Sequence, residues 1–244
     1  MSIREKLDIS AYLVVGPENT LGRPVASIVR AAVEAGFTCV QVRSKVASAR
    51  ELIALTNEAA NAIAATGHSE DVALVVDDRL DVVLAAREQG IKVDGVHVGQ
   101  SDIPPAVCRA YLGPDAVVGL SAPTGELIDY VRVTDVQDID YFGAGPLHAT
   151  ATKPDCGLNA EGQFLTRSFS ELKQLAGCSP IPIVVGGGVK CRDIPALAAT
   201  GVAGFFVVSA VAGADDPSAA ANELVAQWKH ECALKGNLKD CLRK

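Results

Sequence analysis

The stretch "VEAGFTCVQVRSK" (Val33–Lys45) decides the reading of the fold. It runs from a helical ending through Gly36, the residue type that best closes a helix in the left-handed conformation. Cys39, Val40 and Val42 then make a short apolar strand. Within it, Gln41, Arg43 and Lys45 take every second position, so they share one face. A helix end, a brief loop, a buried strand and a polar outlet form one link of a repeating strand–helix chain.

The link recurs. "AREQGIKVDGV" (Ala86–Val96) and "AATGVAGFF" (Ala198–Phe206) repeat the passage from helix end through glycine to strand. Eight short apolar segments follow a steady beat: Ala11–Val15, Cys39–Arg43, Val72–Asp77, Gly95–Gly99, Ala116–Ser121, Asp140–Gly145, Ile181–Gly187 and Ala203–Ser209. Most are nearly continuous in hydrophobicity, as strands covered on both faces are. Segments with helical spacing lie between them, among them Ser48–Ala65, Asp81–Gln89, Pro105–Leu112 and Ile194–Thr200. Pro24 and Pro195 suit first turns, and Gly36, Gly67, Gly90 and Gly201 suit helix ends. Alternation of this kind builds a parallel sheet, and eight units close into a (β/α)8 TIM barrel of α/β class. An open doubly wound sheet is the alternative; no GxGxxG follows the first strand to support it.

The chain has 244 residues, close to the roughly 250 of such barrels, and shows no linker or low-complexity run. A single domain over 1–244 is expected, with a basic, frayed tail at about 235–244. Net charge is −7, which argues against a general nucleic-acid binder. No apolar run is long enough for a membrane span. Cys39, Cys108, Cys156, Cys178, Cys191, Cys232 and Cys241 show no CxxC spacing, and no apolar leader precedes the first strand. They read as reduced thiols in a cytoplasmic protein.

Catalytic groups of these barrels sit at the carboxyl ends of strands. The unusual polar residues fall there in turn: Gln41, Arg43 and Lys45; Asp77, Asp78 and Arg79; Gln100, Ser101 and Asp102; Ser121, Thr124 and Glu126; His148, Thr150, Thr152, Lys153 and Asp155; Gly186–Gly188; Ser209. Arg43, Lys45 and Lys153 are groups that seek phosphate oxygens. Asp78 and Asp102 end successive strands, and two carboxylates beside such cations suit Mg2+. Gly186–Gly188 and the small residues after the eighth strand match a barrel phosphate site. The inventory describes one region for a diphosphate and one for a monophosphate. Each residue alone has a plainer reading: strand-end charges leaning into solvent, Asp helix caps, a glycine turn. His97 reads as a structural histidine, His68 and His230 as surface residues, and His148 as a loop residue with acid–base capacity.

The segments "VQVRSK", "VVDDRLDVVLA", "VDGVHVGQSD", "VVGLSAPT", "DYFGAGPLHATATKPD", "IPIVVGGG" and "GVAGFFVVSAV" resemble, in order, motifs of the thiamine phosphate synthase family. The resemblance implies a (β/α)8 transferase of thiamine biosynthesis. It would join a hydroxymethylpyrimidine diphosphate to a thiazole phosphate with Mg2+, releasing pyrophosphate. Its partners are small molecules, and a homodimer would fit. The resemblance implies a pyrimidine diphosphate site at Gln41, Arg43 and Lys45, and metal ligands at Asp78 and Asp102. Ser121 would lie at the reacting methylene, and Thr150, Thr152 and Lys153 in a covering loop. Gly187 and Ser209 would hold the thiazole phosphate. Arg43, Lys45, Ser121 and Lys153 form the expected catalytic set. Two positions depart from the family: Asp77 stands where Asn is usual, and Pro123 where His is frequent. Asp77, within the expected substrate site, would repel a diphosphate unless protonated, paired or drawn to the metal. The alternatives are a thiazole tautomerase-like paralogue and a non-catalytic barrel that binds a phosphate ligand.

Overall fold

The computed structural model describes residues 1–123, 125–149, 165–234 and 236. Thr124, Thr150, Thr152, Lys153, Asp155 and nearly all of the tail expected at 235–244 lie outside this set. The chain alternates β1 (Ala11–Val15), α1 (Val25–Ala35), β2 (Cys39–Val42), α2 (Ala49–Ala65), β3 (Ala73–Asp77), α3 (Leu80–Glu88), β4 (Gly95–Val98) and α4 (Pro105–Leu112). It continues with β5 (Val117–Ser121), α5 (Leu127–Val133), β6 (Tyr141–Ala144), α6 (Phe169–Cys178), β7 (Ile183–Val185), α7 (Ile194–Thr200), β8 (Gly204–Val207), α8 (Ser209–Ala212) and α9 (Pro217–Leu234). Strands pair in parallel in sequence order, and β8 pairs back to β1 through Ala11 with Phe205 and Leu13 with Val207. That closure excludes the open doubly wound sheet.

Alternation along each strand divides the core in two. Leu13, Val40, Leu74, Val96, Val118, Phe142 and Val185 point outward and pack with helix residues such as Ile28, Ile63 and Leu172. Tyr12, Val14, Cys39, Val75, Val117, Tyr141 and Val184 alternate with them and fill the inside of the barrel. Both faces of every strand are therefore covered, as a parallel sheet requires. Burial pushes the Cys39 thiol up, which suits an inert packing group. Cys39, Cys108, Cys178, Cys191 and Cys232 are free thiols.

The strands are shorter than the sequence pattern suggests. β2 stops at Val42 and β7 at Val185, so Arg43 and all three glycines of Gly186–Gly188 leave the sheet. α2 begins one residue after the expected start because Ser48 is its cap, and α3 is shifted by one toward the N-terminus. α4 and α7 run as expected. Gly36 and Gly201 close α1 and α7 in the left-handed conformation. Among the described residues, no helix is long and apolar enough to cross a membrane.

The start of α2 carries a full capping box. Ser48 donates its backbone N–H to Glu51 Oε2 at 2.8 Å and its hydroxyl at 2.7 Å. These bonds hold the Glu51 carboxyl below its ordinary range. A depressed carboxyl adds stability above its unfolded value of about 4.3 and loses it as pH falls through the folded value. Glu51→Ala is therefore expected to lower Tm by a few degrees at neutral pH, with the difference from wild type closing in acid. Thermal melts at both pH values check this, and a gap unchanged in acid would mean the carboxylate contributes nothing.

Candidate active site

The carboxyl ends of β2, β3 and β4 bring five charged side chains together. Asp77, the last residue of β3, is at their centre. Its Oδ1 accepts from Gln41 Nε2 at 2.5 Å, and its Oδ2 lies 3.1 Å from Arg43 Nε and 3.3 Å from Lys45 Nζ. Its side chain is 4 % exposed, so the Gln41 and Arg43 contacts form largely out of water, while Lys45 reaches it from the solvent side. Lys45 also pairs with Asp78 Oδ2. Burial pulls the Lys45 ammonium down, but Asp78 and Asp77 outweigh that and hold it above its ordinary value.

Asp78 has a left-handed backbone, with φ of 61°. Its N–H donates to His97 O at 2.8 Å and Arg79 N–H to Asp77 O at 2.7 Å, which fixes the turn out of β3. Asp is among the few non-glycine residues that accept this conformation. The turn aims the Asp78 carboxylate toward Asp102. Asp102 is held from its other side by the Gly99 N–H, donating to Oδ2 at 2.8 Å. Burial raises the Asp102 carboxyl above the usual carboxylate range; the Gly99 bond opposes this, and the hydrogen bond and charge of Asp78 push it further up. Two carboxylates meet there, as the strand-end spacing predicts.

Beside this cluster a pocket opens into the barrel mouth. Gln41, Arg43, His97 and Ser121 line one side, and Gly186, Gly187, Gly188 and Ser209 the other. Gly187 and Gly188 have φ of 83° and 75°, the left-handed region that favours glycine. Side chains there would also collide: a Cβ on Gly187 would lie 2.5 Å from Pro146 Cβ, and one on Gly188 2.9 Å from His148 Cβ.

The fold, the paired carboxylates and the glycine-walled pocket occur here in a chain that matches the thiamine monophosphate synthase family over residues 11–211. The chain belongs to that family. A thiamine-phosphate synthase of Corynebacterium efficiens is 40% identical over 226 residues, covering 91% of this chain and 96% of the relative. One of Moorella thermoacetica is 36% identical, covering 87% and 92%. The solved structure of thiamine phosphate pyrophosphorylase from Pyrococcus furiosus superposes with a TM-score of 0.73 at 27% identity, covering 94% of this chain and 98% of that one. These relatives are transferases of thiamine biosynthesis.

Within this barrel, the residues expected from the sequence separate into three groups. Gln41, Arg43, Lys45, Asp77, Asp78 and Asp102 form one connected cluster. Ser121, Gly187 and Ser209 line the pocket. Thr150, Thr152 and Lys153 lie outside the described residues. Asp77, the departure from the family pattern, is paired, which is one of the three ways its charge could be accommodated. Pro123 sits in the loop after β5. His148 Nε2 lies 3.0 Å from Asp193 Oδ2, and Asp193 also accepts the Lys190 N–H at 2.8 Å. His148 thus braces the loop after β7 and is not among the residues lining the pocket.

Three residues of the site escape a strand-end inventory: Tyr12, His97 and Tyr141. His97 is more than the structural histidine expected. Its Nε2 lies 2.8 Å from Ser121 Oγ and its Nδ1 3.0 Å from Tyr141 Oη. Tyr141 Oη lies 2.9 Å from Tyr12 Oη, and Tyr12 donates to Gln41 Oε1 at 3.1 Å. Burial holds both phenols well above their ordinary value, so both remain hydroxyls. The signal that could have found them is period two: each occupies an inward position in a strand where an aliphatic residue would pack without needing a partner.

Space for these rings comes from glycine. Gly119 pairs in register with His97 on β4 and Tyr141 on β6. A Cβ there would lie 2.3 Å from Tyr141 Cζ and 2.5 Å from His97 Nδ1. Neither ring is a flexible chain end that could step aside. Gly119→Ala is expected to cost about 1–3 kcal/mol by overpacking, and to reduce activity under conditions where the variant remains folded. Denaturant unfolding and kinetics check this; wild-type values in both would show that the rings have room to move.

Proposed function

We propose that the chain condenses 4-amino-2-methyl-5-hydroxymethylpyrimidine diphosphate with a thiazole phosphate in a Mg2+-dependent reaction, giving thiamine phosphate and pyrophosphate. The observation that carries this reading is the joining of two anion-handling regions at one barrel mouth. The cluster of Arg43, Lys45, Asp78 and Asp102 lies beside a pocket whose opposite wall is Gly186–Gly188 and Ser209.

Charge accounting supports a metal. Arg43 and Lys45 face Asp77, Asp78 and Asp102, two positive charges against three negative, so these groups alone would repel a diphosphate. Asp78 and Asp102 fit a divalent cation, since each raises the cost of the other's charge and a shared ion would relieve both. Mg2+ takes one or two carboxylates and fills its shell with water and substrate phosphate oxygens, and Asp78 and Asp102 are a donor pair of that kind. Bound there, the ion would supply electrostatic neutralisation of the departing diphosphate.

The chain's own residues do the rest by position and charge. Arg43 and Lys45, joined by Lys153, hold the diphosphate oxygens, and Gln41, His97 and Ser121 border the pyrimidine. Thr150 and Thr152, the further residues the family resemblance implies for phosphate contact, lie outside the described residues. Gly187 and Ser209 anchor the thiazole phosphate so that the ring nitrogen points at the methylene carbon. The methylene–oxygen bond breaks with its electron pair leaving on pyrophosphate. The electron-rich aminopyrimidine carries the positive charge, and the thiazole nitrogen lone pair forms the new carbon–nitrogen bond. No protein nucleophile is needed; orientation and preorganised charge lower the barrier.

The test is incubation with both phosphorylated heterocycles, with and without Mg2+, following thiamine phosphate and pyrophosphate. Both products are expected, only with metal. Asp78→Ala and Asp102→Ala are each expected to lower Mg2+-supported turnover roughly 100-fold, the scale of losing one electrostatic stabiliser. Full activity and unchanged metal response in both variants would remove the metal assignment.

A further inference from the structure

We propose that Asp77 sets the direction of an entire buried hydrogen-bond relay, Asp77–Gln41–Tyr12–Tyr141–His97–Ser121, so that Ser121 Oγ offers the pocket lone pairs and not a proton. The relay crosses the inside of the barrel and links the charged cluster on β2 and β3 to the pocket wall on β5.

The direction follows from counting protons. The Asp77 carboxylate, ion-paired with Arg43 and Lys45, can only accept. The Gln41 amide must therefore turn its Nε2 to Asp77, at 2.5 Å. Its Oε1 then faces Tyr12, which spends its one hydroxyl proton on it at 3.1 Å. With that proton committed, Tyr12 Oη must accept from Tyr141 Oη, 2.9 Å away. Tyr141 has then spent its own proton and must accept from His97 Nδ1–H at 3.0 Å. A neutral imidazole protonated at Nδ1 leaves the Nε2 lone pair facing Ser121, and the Ser121 hydroxyl donates to it across 2.8 Å. The Ser121 oxygen is left as an acceptor toward the pocket.

Reversal is chemically possible everywhere except at Asp77. An amide at position 77 could donate to Gln41 Oε1, after which each bond could turn over. His97 would then carry its proton on Nε2, and the Ser121 proton would point into the pocket. Tyr12 and Tyr141 are at most 1 % exposed, so no bulk water resets the relay. Asp77, Tyr12 and Tyr141 are thus positioning residues that act on the ligand through His97 and Ser121, while Gln41 passes the direction on and also borders the pocket. The complementary ligand group is an N–H donor on a heterocycle, which the aminopyrimidine of the proposed substrate supplies. Only this last link rests on the proposed function; the tautomer is a property of the free protein.

The test is ¹⁵N NMR of the imidazole nitrogens in the full-length protein without substrate, at alkaline pH. The sequence has four histidines, and the His97 signals are assigned by their loss in His97→Asn. Wild type is expected to show a protonated, pyrrole-type Nδ1 and a pyridine-type Nε2. Asp77→Asn is expected to move His97 to the opposite tautomer or to a mixture. Tyr12→Phe, which cuts the relay without touching His97 or the ion pairs, is expected to give a mixture. A wild-type proton on Nε2, or the same tautomer in wild type and in whichever of the two variants folds, would overturn the proposal. Condensation measured in parallel separates the two ideas: the tautomer as stated without product formation would sink the proposed function alone.

Discussion

Everything at the mouth of this barrel is organised around one almost fully buried carboxylate. Asp77 receives an amide and two cations, from side chains that leave β2 at alternate positions. A buried charge of this kind is tolerable only when its partners are close and numerous. Here the partners are also groups that would handle substrate. The same contacts that make Asp77 affordable hold the charges of Arg43 and Lys45 beside it before any ligand arrives. The cost is that some positive charge is already committed, so that Asp78 and Asp102 leave the cluster with more negative than positive groups.

The polar interior is possible because the barrel core is unevenly filled. β5 and β6 contribute Gly119 and Gly143 at inward positions, and the rings of His97 and Tyr141 occupy that space, stacked 5.5 Å apart between centroids. The loop leaving β7 repeats the device, since a Cβ on Gly186 would lie 2.1 Å from the Phe206 ring. Large rings on some strands and bare backbone on their neighbours let polar atoms approach one another while the layer stays filled. Buried polar groups then find partners within hydrogen-bond distance, as they must when water is excluded.

The fold was legible because both periodicities were clean. Eight continuous apolar segments recur at a steady beat, several of them following a helix that ends at glycine, and little but a closed parallel barrel satisfies that. Charged strand-end residues were legible for the same reason: Arg43, Asp78 and Asp102 have no business on an apolar strand unless the strand is ending. Tyr12, His97 and Tyr141 were not, because an inward aromatic looks like ordinary core filling in one dimension. Their meaning depends on which strands are neighbours and in what register, which only the closed sheet supplies. The anchoring of His148 was not legible either, because its partner Asp193 lies 45 residues further on and meets it only where the fold brings the loops after β6 and β7 together.

The left-handed backbone at Asp78 narrows the choices open to descendants of this sequence. Glycine, asparagine and aspartate tolerate that conformation, and only aspartate among them brings a full negative charge. Glutamate, the obvious substitute in chemical terms, would be penalised by the main chain before its longer arm could be tried. Drift at this position is therefore channelled toward keeping the carboxylate or abandoning it, with no graded intermediate.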